Sequence, residues 1–224
     1  MDFPVDRELK DELYEQFARI CKALGSARRF ELLDLLSNGE HSVEELAHET
    51  GMTIANTSQH LQQLRASRLV QIRRKGVEIF YRLADPTVDN LVQAVQDLSK
   101  ARLAEVDRII DGLTMERKNT SVTRMDDLES KFRTGKVLIV DVRPASEYAY
   151  GHIRGAVSLP YHQLEEQFVS LDKTKEIVVY CRDYYSRLAD RAVQDLKEKG
   201  FHVSRLEEGF SEWRSQDRPV EGMP

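Results

Sequence analysis

The sequence predicts two domains of different class. The first half reads as an α+β domain of helices with one hairpin, the second as an α/β domain with a mainly parallel sheet. Three observations carry this. Apolar residues recur at spacings of three and four over most of residues 6–68. The period switches to two across residues 69–83, on either side of a Lys75-Gly76 turn. Beyond residue 123, short apolar strands alternate with helical stretches.

The elements follow in order. Residues 6–24 form a helix with Leu9, Leu13, Phe17, Ile20 and Leu24 on one face, stopped at Gly25. Ser26 suits an N-cap for a helix over 27–36, which ends at Asn38-Gly39. Ser42 with Glu45 three residues on is a capping box for a helix over 43–49, closed by Gly51. Thr53 opens the next helix, to about Arg68. Residues 69–74 and 77–83 are paired strands. Asp85-Pro86 begins a long helix reaching Leu113. The polar run 114–123 reads as a linker between domains 1–113 and 124–224. Strands are expected at 137–140, 176–180 and 203–206, with an amphipathic helix over 186–199 closed by Gly200.

Composition excludes several classes. The apolar runs are too short to span a bilayer, so no membrane partner is expected. The acidic, helical N-terminus lacks the basic start and apolar stretch of a signal peptide, which places the protein in the cytoplasm. Two cysteines, Cys21 and Cys181, far apart in a reducing compartment, read as free thiols. Cys21, on the first helix beside its apolar face, reads as a small buried hydrophobe rather than a redox sensor. No clustered Cys or His pattern points to a metal site, and no cofactor is expected. The net charge of −5 hides a basic segment: residues 65–82 hold six basic residues against the single acid Glu78. DNA responds to such a local patch rather than to the whole-chain sum.

Two helices joined at Gly51 and followed by a basic hairpin make a winged helix-turn-helix pattern. A groove-reading helix needs an apolar inner face and an outer face of short hydrogen-bonding side chains. Ile54, Leu61 and Leu64 are expected inward; Asn56, Thr57, Ser58, Gln59, His60 and Gln63 supply donors and acceptors. Arg73, Arg74 and Lys75 stand at the wing tip, in reach of phosphates. Residues 53–83, and Ser58-Gln59-His60-Leu61 above all, resemble the recognition helix and wing of ArsR/SmtB-type repressors. The resemblance covers residues 10–112 and implies a homodimer, built largely by the first and last helices, on a palindromic double-stranded operator. The metal-sensing motifs of that family are absent: the helix before the turn lacks the paired cysteines, and the final helix lacks histidine.

In the second half, Cys181 ends a strand and opens a loop ahead of a helix. Loop amides and a helix N-terminus stabilise a thiolate and hold small oxyanions, so a depressed thiol pKa is expected there. Asp141-Val-Arg143, Glu147-Tyr148, Gly151-His152-Ile153, Gly155-Ala156, Tyr180-Cys181-Arg182 and Leu206-Glu-Glu-Gly-Phe210 with Trp213 together resemble a rhodanese domain over residues 120–220. The resemblance implies that Cys181 attacks a sulfane sulfur, forms a persulfide and passes it to an acceptor, as a sulfurtransferase does. It places Cys181, Arg182 and Arg187 in the chemistry and Asp183, Tyr184, Tyr185 and Ser186 in the active-site loop. Asp141, Arg143 and His152 are expected to support loop and fold. The run Cys181-Arg-Asp-Tyr-Tyr-Ser-Arg187 departs from the glycine-containing rhodanese loop: Asp183 adds negative charge, the tyrosines add bulk, and Ser186 stands where related regulators carry a second thiol. The Cys181-to-Arg187 spacing also matches cysteine phosphatases and rhodanese-fold arsenate reductases, where the arginine clamps an oxyanion. Two readings follow: a DNA-binding repressor that senses or transfers sulfane sulfur at Cys181, or an enzyme (sulfurtransferase, arsenate reductase or phosphatase-like) with the winged helix as a dimer or targeting module.

Overall fold

The computed structural model describes residues 7–117 and 120–222, with only the backbone described at 114–116 and 170. The chain divides between Ala101 and Arg102 into two compact units. The first contains α1 (Arg7–Leu24), α2 (Ala27–Leu36), β1 (His41–Ser42), α3 (Val43–Thr50), α4 (Ile54–Ala66), β2 (Val70–Lys75), β3 (Glu78–Leu83) and α5 (Pro86–Arg102). The capping box forms as expected: Glu45 N donates to Ser42 Oγ at 3.1 Å, and Ser42 N donates to Glu45 Oε2 at 2.8 Å. Gly51 ends α3 at φ +65°, a conformation that favours glycine. Ser26 takes the N-cap position of α2 with extended backbone, but its side chain makes no cap bond.

The hairpin β2–β3 pairs from Val70↔Leu83 to Lys75↔Glu78, leaving Gly76, at φ +63°, and Val77 as the turn. The pattern missed β1, which pairs antiparallel with β3 and completes a three-stranded sheet, β1-β3-β2. Leu32, Leu33 and Leu36 of α2 pack with Leu46, Leu61, Leu64, Tyr81 and Val92 into one core. The apolar face of α1 does not join it fully. Ile20 and Leu24 touch the core, whereas Leu9, Leu13 and Phe17 are about half exposed or more.

The second unit contains α6 (Ala104–Glu116), β4 (Val122–Thr123), α7 (Met125–Arg133), β5 (Val137–Asp141), α8 (Ala145–Tyr150), β6 (His152–Ile153), β7 (Val157–Ser158), α9 (Leu164–Gln167), β8 (Glu176–Tyr180), α10 (Leu188–Glu198), β9 (Val203–Leu206), α11 (Phe210–Ser215) and β10 (Val220–Glu221). Two expectations need correction. The single helix expected over 86–113 is interrupted at Leu103, and its second half, α6, belongs to the second unit. Nothing in the local sequence marks that break. The expected linker 114–123 holds the end of α6 and the strand β4, which pairs with β9 through Val122↔Arg205; its residues 118–119 lie outside the described residues.

The five-stranded sheet is parallel throughout, in the order β4-β9-β8-β5-β7, and β6 and β10 form a separate antiparallel pair. Strand β8 shows why its run is apolar at every position. Ile177 and Val179 face the layer of α10, with Ala192, Val193 and Leu196. Val178 and Tyr180 face the opposite layer, with Leu128, Phe210 and Trp213. A central parallel strand covered on both faces has no polar side to alternate with. This topology puts the C-terminal ends of β5 and β8 side by side, Asp141 opposite Tyr180, and Cys181 follows directly.

Candidate functional site

Helix α4 presents a polar stripe. Leu61 and Leu64 are fully buried, as expected, but Ile54 is exposed and Thr57 is buried. Thr57 was expected to face a ligand; instead its hydroxyl donates to Thr53 O at 3.0 Å. It lies one helical turn from Leu61 and so shares the inward face. Asn56, Gln59 and Gln63 are exposed, and Ser58 and His60 are half-buried. The amide oxygen of Gln63 accepts from Arg29 at 2.7 Å. Gln62 and Arg65, absent from the expected set, are also exposed, and Gln62 lies three residues from Gln59 on the same face.

The wing divides its charges. Arg73 is not at the tip: it sits within β2 opposite Phe80, and its guanidinium binds the Glu40 carboxylate at 2.7 Å. That hydrogen bond and charge hold its pKa above the ordinary arginine value. Arg82 approaches the same carboxylate at 3.8 Å. Arg74 and Lys75 lead to the tip, where Val77 is almost wholly exposed.

The second cluster forms around Cys181. The thiol is buried, and its Sγ accepts a hydrogen bond from Ser186 Oγ at 2.9 Å. Helix α11 anchors the loop start: Phe210 N donates to Cys181 O at 2.9 Å and Ser211 N to Arg182 O at 2.8 Å. Gly209 makes that approach possible, since a Cβ there would lie 2.3 Å from the Asp183 amide nitrogen. The loop amides are already engaged. Tyr185 N and Ser186 N both donate to Asp183 Oδ1 at 2.7 Å. Tyr184 N donates to Glu212 Oε1 at 3.3 Å, while Glu212 Oε2 accepts from Gly209 N at 3.0 Å. Burial, with Asp183 nearby, pushes the Glu212 carboxyl above its usual range.

The expected low thiol pKa is not what this environment produces. Burial among Val140, Val142 and Ala189 pushes the Cys181 thiol up to about 12, against the opposing pull of Arg182 and the Ser186 hydroxyl. The Arg182 amide still favours the thiolate, but the amides of Tyr184, Tyr185 and Ser186 serve carboxylates instead. Alkylation of Cys181 in the folded protein should therefore be slow at pH 7. Its rate should climb about tenfold per pH unit through pH 9, following the thiolate fraction. A plateau reached by pH 8 in the pH–rate profile would contradict this assignment.

Two arginines expected in the chemistry are placed otherwise. Arg182 is buried, and its Nε lies 2.8 and 2.9 Å from the two oxygens of the buried Glu147 carboxylate. Arg187 is exposed and lines a cleft of about 520 Å³ with Arg117, Asp190 and Arg191, whose lining does not include Cys181. Behind the loop, Tyr184 lies between the guanidinium groups of Arg117 (4.9 Å) and Arg205 (5.7 Å). Both arginines bind Asp190, at 3.0 and 3.3 Å, and Arg117 Nη2 also donates to Ser186 O at 3.4 Å. Arg117, Arg205 and Glu212 were not foreseen, because nothing local in the sequence marks them.

Asp141 and Arg143 are fully buried and paired with each other. Arg143 Nη2 reaches Asp141 Oδ2 at 2.6 Å and Gly151 O at 2.7 Å, and Tyr180 OH donates to the same carboxylate at 2.6 Å. His152 Nδ1 is 2.8 Å from Tyr148 O, with its ring stacked on Tyr148. Cys21, expected to be buried, is exposed on α1. No group of three or more His, Cys, Asp or Glu side chains able to hold a metal occurs among the described residues, and none of the described helices is long and apolar enough to cross a membrane.

Comparison with known proteins bears on both units. Residues 26–71 match the model of the bacterial regulatory proteins of the arsR family, and residues 124–216 match the rhodanese-like domain. The HTH-type transcriptional regulator Rv0324 of Mycobacterium tuberculosis is 38% identical over 216 residues, spanning 96% of this chain and 95% of that one. The HTH-type transcriptional regulator KmtR of the same organism is 40% identical over 84 residues, 38% of this chain and 65% of that one. The thiosulfate sulfurtransferase GlpE of Coxiella burnetii is 35% identical over 80 residues, 35% of this chain and 73% of that one. With a relative matched from end to end and both modules in the same order, the chain belongs to the ArsR family of transcriptional regulators and carries a rhodanese-like domain behind its winged helix-turn-helix.

Proposed function

We propose that this regulator is a homodimeric, cytoplasmic repressor of a palindromic operator, and that sulfane sulfur bound to Cys181 sets its hold on DNA. The exposed apolar faces support the dimer: Leu9, Leu13 and Phe17 on α1 and Leu98 on α5 are the surfaces a second copy would cover. Helix α4 and the wing supply the DNA contacts.

One observation carries the sulfur reading. Cys181 Sγ touches Ser186 Oγ, and the Ser186 carbonyl is held by Arg117, directly after α6 and thus on the segment leading from the winged helix. A sulfur atom added to Sγ has to displace the serine hydroxyl and with it the loop that Arg117 grips. Cys181 is the single thiol of this loop, so the product is a persulfide or a mixed adduct rather than an internal disulfide.

The experiment is DNA release. Polysulfide should add sulfur to Cys181 of the wild type and weaken operator binding by about tenfold or more, the range of ordinary allosteric couplings. Cys181→Ser should bind the operator equally well and ignore polysulfide. Release of the Ser variant by the same treatment would place the sensor elsewhere.

A further inference from the structure

We infer that Asp183 and Glu212 are specificity residues that close the Cys181 loop to sulfur donors carrying an oxyanion group, so that the protein takes sulfur from hydropersulfides and not from thiosulfate. This rests on the sulfur reading of Cys181 given above.

A thiosulfate donor brings a dianion to the loop and leaves a sulfite dianion behind. Both need N–H donors and positive charge where the oxygens sit. Around Cys181 most of those donors already serve carboxylates. The amides of Tyr185 and Ser186 bind Asp183, and the amide of Tyr184 binds Glu212. The Arg182 guanidinium binds Glu147, while Arg117 and Arg205 bind Asp190. A carboxylate thus occupies the places that an oxyanion would fill, and its charge repels the donor. The thiol itself belongs to the apolar cluster that includes Val140, Val142 and Ala189, surroundings that favour an uncharged reactant.

The neutral form of a hydropersulfide, R–S–SH, the form that gives up its outer sulfur, has no oxyanion and needs none of those donors. Cys181 Sγ attacks the outer sulfur, the S–S bond of the donor breaks, and a new Sγ–S bond forms. The proton of Cys181 passes to the departing sulfur, giving Cys181–S–SH and R–SH. One S–S bond is exchanged for another, and no external oxidant or reductant takes part.

The test uses the full chain, with sulfur incorporation followed by mass spectrometry. Thiosulfate is compared with a small alkyl hydropersulfide released in situ from an uncharged precursor. The wild type should react about a hundredfold or more faster with the hydropersulfide at equal concentration, as expected for repulsion within a poorly solvated site. Asp183→Asn and Glu212→Gln each keep an acceptor oxygen for the loop amides while removing the charge. Each should raise the ratio of the thiosulfate rate to the hydropersulfide rate by about tenfold or more. Comparable wild-type rates with both donors would overturn the inference. So would an unchanged ratio in the double variant, with native Trp213 fluorescence confirming its fold. Failure of every donor to mark Cys181 would instead remove the sulfur reading itself, and the inference with it.

Discussion

Replacing Asp141 with Ala is expected to destabilise the second domain by about 3–5 kcal/mol, the usual cost of stripping one partner from a buried ion pair. Asp141 and Arg143 are both fully buried. The carboxylate accepts from Arg143 Nε at 3.0 Å, from Arg143 N at 2.9 Å and from Tyr180 OH at 2.6 Å. Burial alone would weaken the charge on Arg143; the Asp141 carboxylate more than offsets this and holds the guanidinium charged. Without Asp141 the guanidinium keeps the Gly151 carbonyl and its place 4.1 Å from the centre of the Phe210 ring, with only the charge of Glu147, itself paired with Arg182, to balance it. The double variant Asp141→Ala/Arg143→Met should lose less than Asp141→Ala alone, because it leaves no orphan charge. Trp213 is the only tryptophan in the chain and is buried in this domain, so denaturant unfolding read by its fluorescence reports this unit. Equal losses in the single and double variants would show that the pair is not coupled as described.

The second large effect concerns DNA. Arg74→Ala/Lys75→Ala should cut operator affinity at low salt by about a hundredfold. If both residues of each protomer neutralise phosphates, the dimer loses four contacts and the slope of log affinity against log salt should flatten by about 3.6. The structure separates Arg73 from this pair. Its guanidinium is bound to Glu40, so Arg73→Ala should cost clearly less than Arg74→Ala, and Glu40→Gln should tighten binding by freeing Arg73. Gln59→Ala should behave differently, shifting preference among operators with little change in salt dependence. Electrophoretic or anisotropy titrations over several salt concentrations read all five variants. Equal losses from Arg73→Ala and Arg74→Ala would contradict the Glu40 pairing.

Much of this molecule was legible in its residues because the signals are local. The 3.6-residue period placed α1 to α4. The capping box at Ser42 and Glu45 formed from residues three apart, and the period-two segments became β2 and β3. The run Glu176–Tyr180 placed a buried strand and therefore set Cys181 at its end. The two-residue strands escaped the pattern, as they are too short to show a period. β1, β4, β6, β7 and β10 exist because a partner strand lies beside them.

The sequence by itself determined the two domain classes, their order, and the position of one thiol in a loop between a strand and a helix. Tertiary structure decided what each polar side chain faces. Thr57 and Gln59 are both small hydrogen-bonding residues on one helix, but only the first lies in register with Leu61. Arg182 and Arg187 flank the same loop, yet one is buried on Glu147 and the other is exposed. The Cys181 thiol shows the point most clearly. Loop amides beside a thiol ordinarily lower its pKa, and here Asp183 and Glu212 have taken those of Tyr184, Tyr185 and Ser186, while burial in an apolar cluster raises it. Glu212 comes 31 residues after Cys181 and Arg117 comes 64 before it. Electrostatics acts through space, so its sign at a buried group depends on partners that only the folded chain brings within a few ångströms.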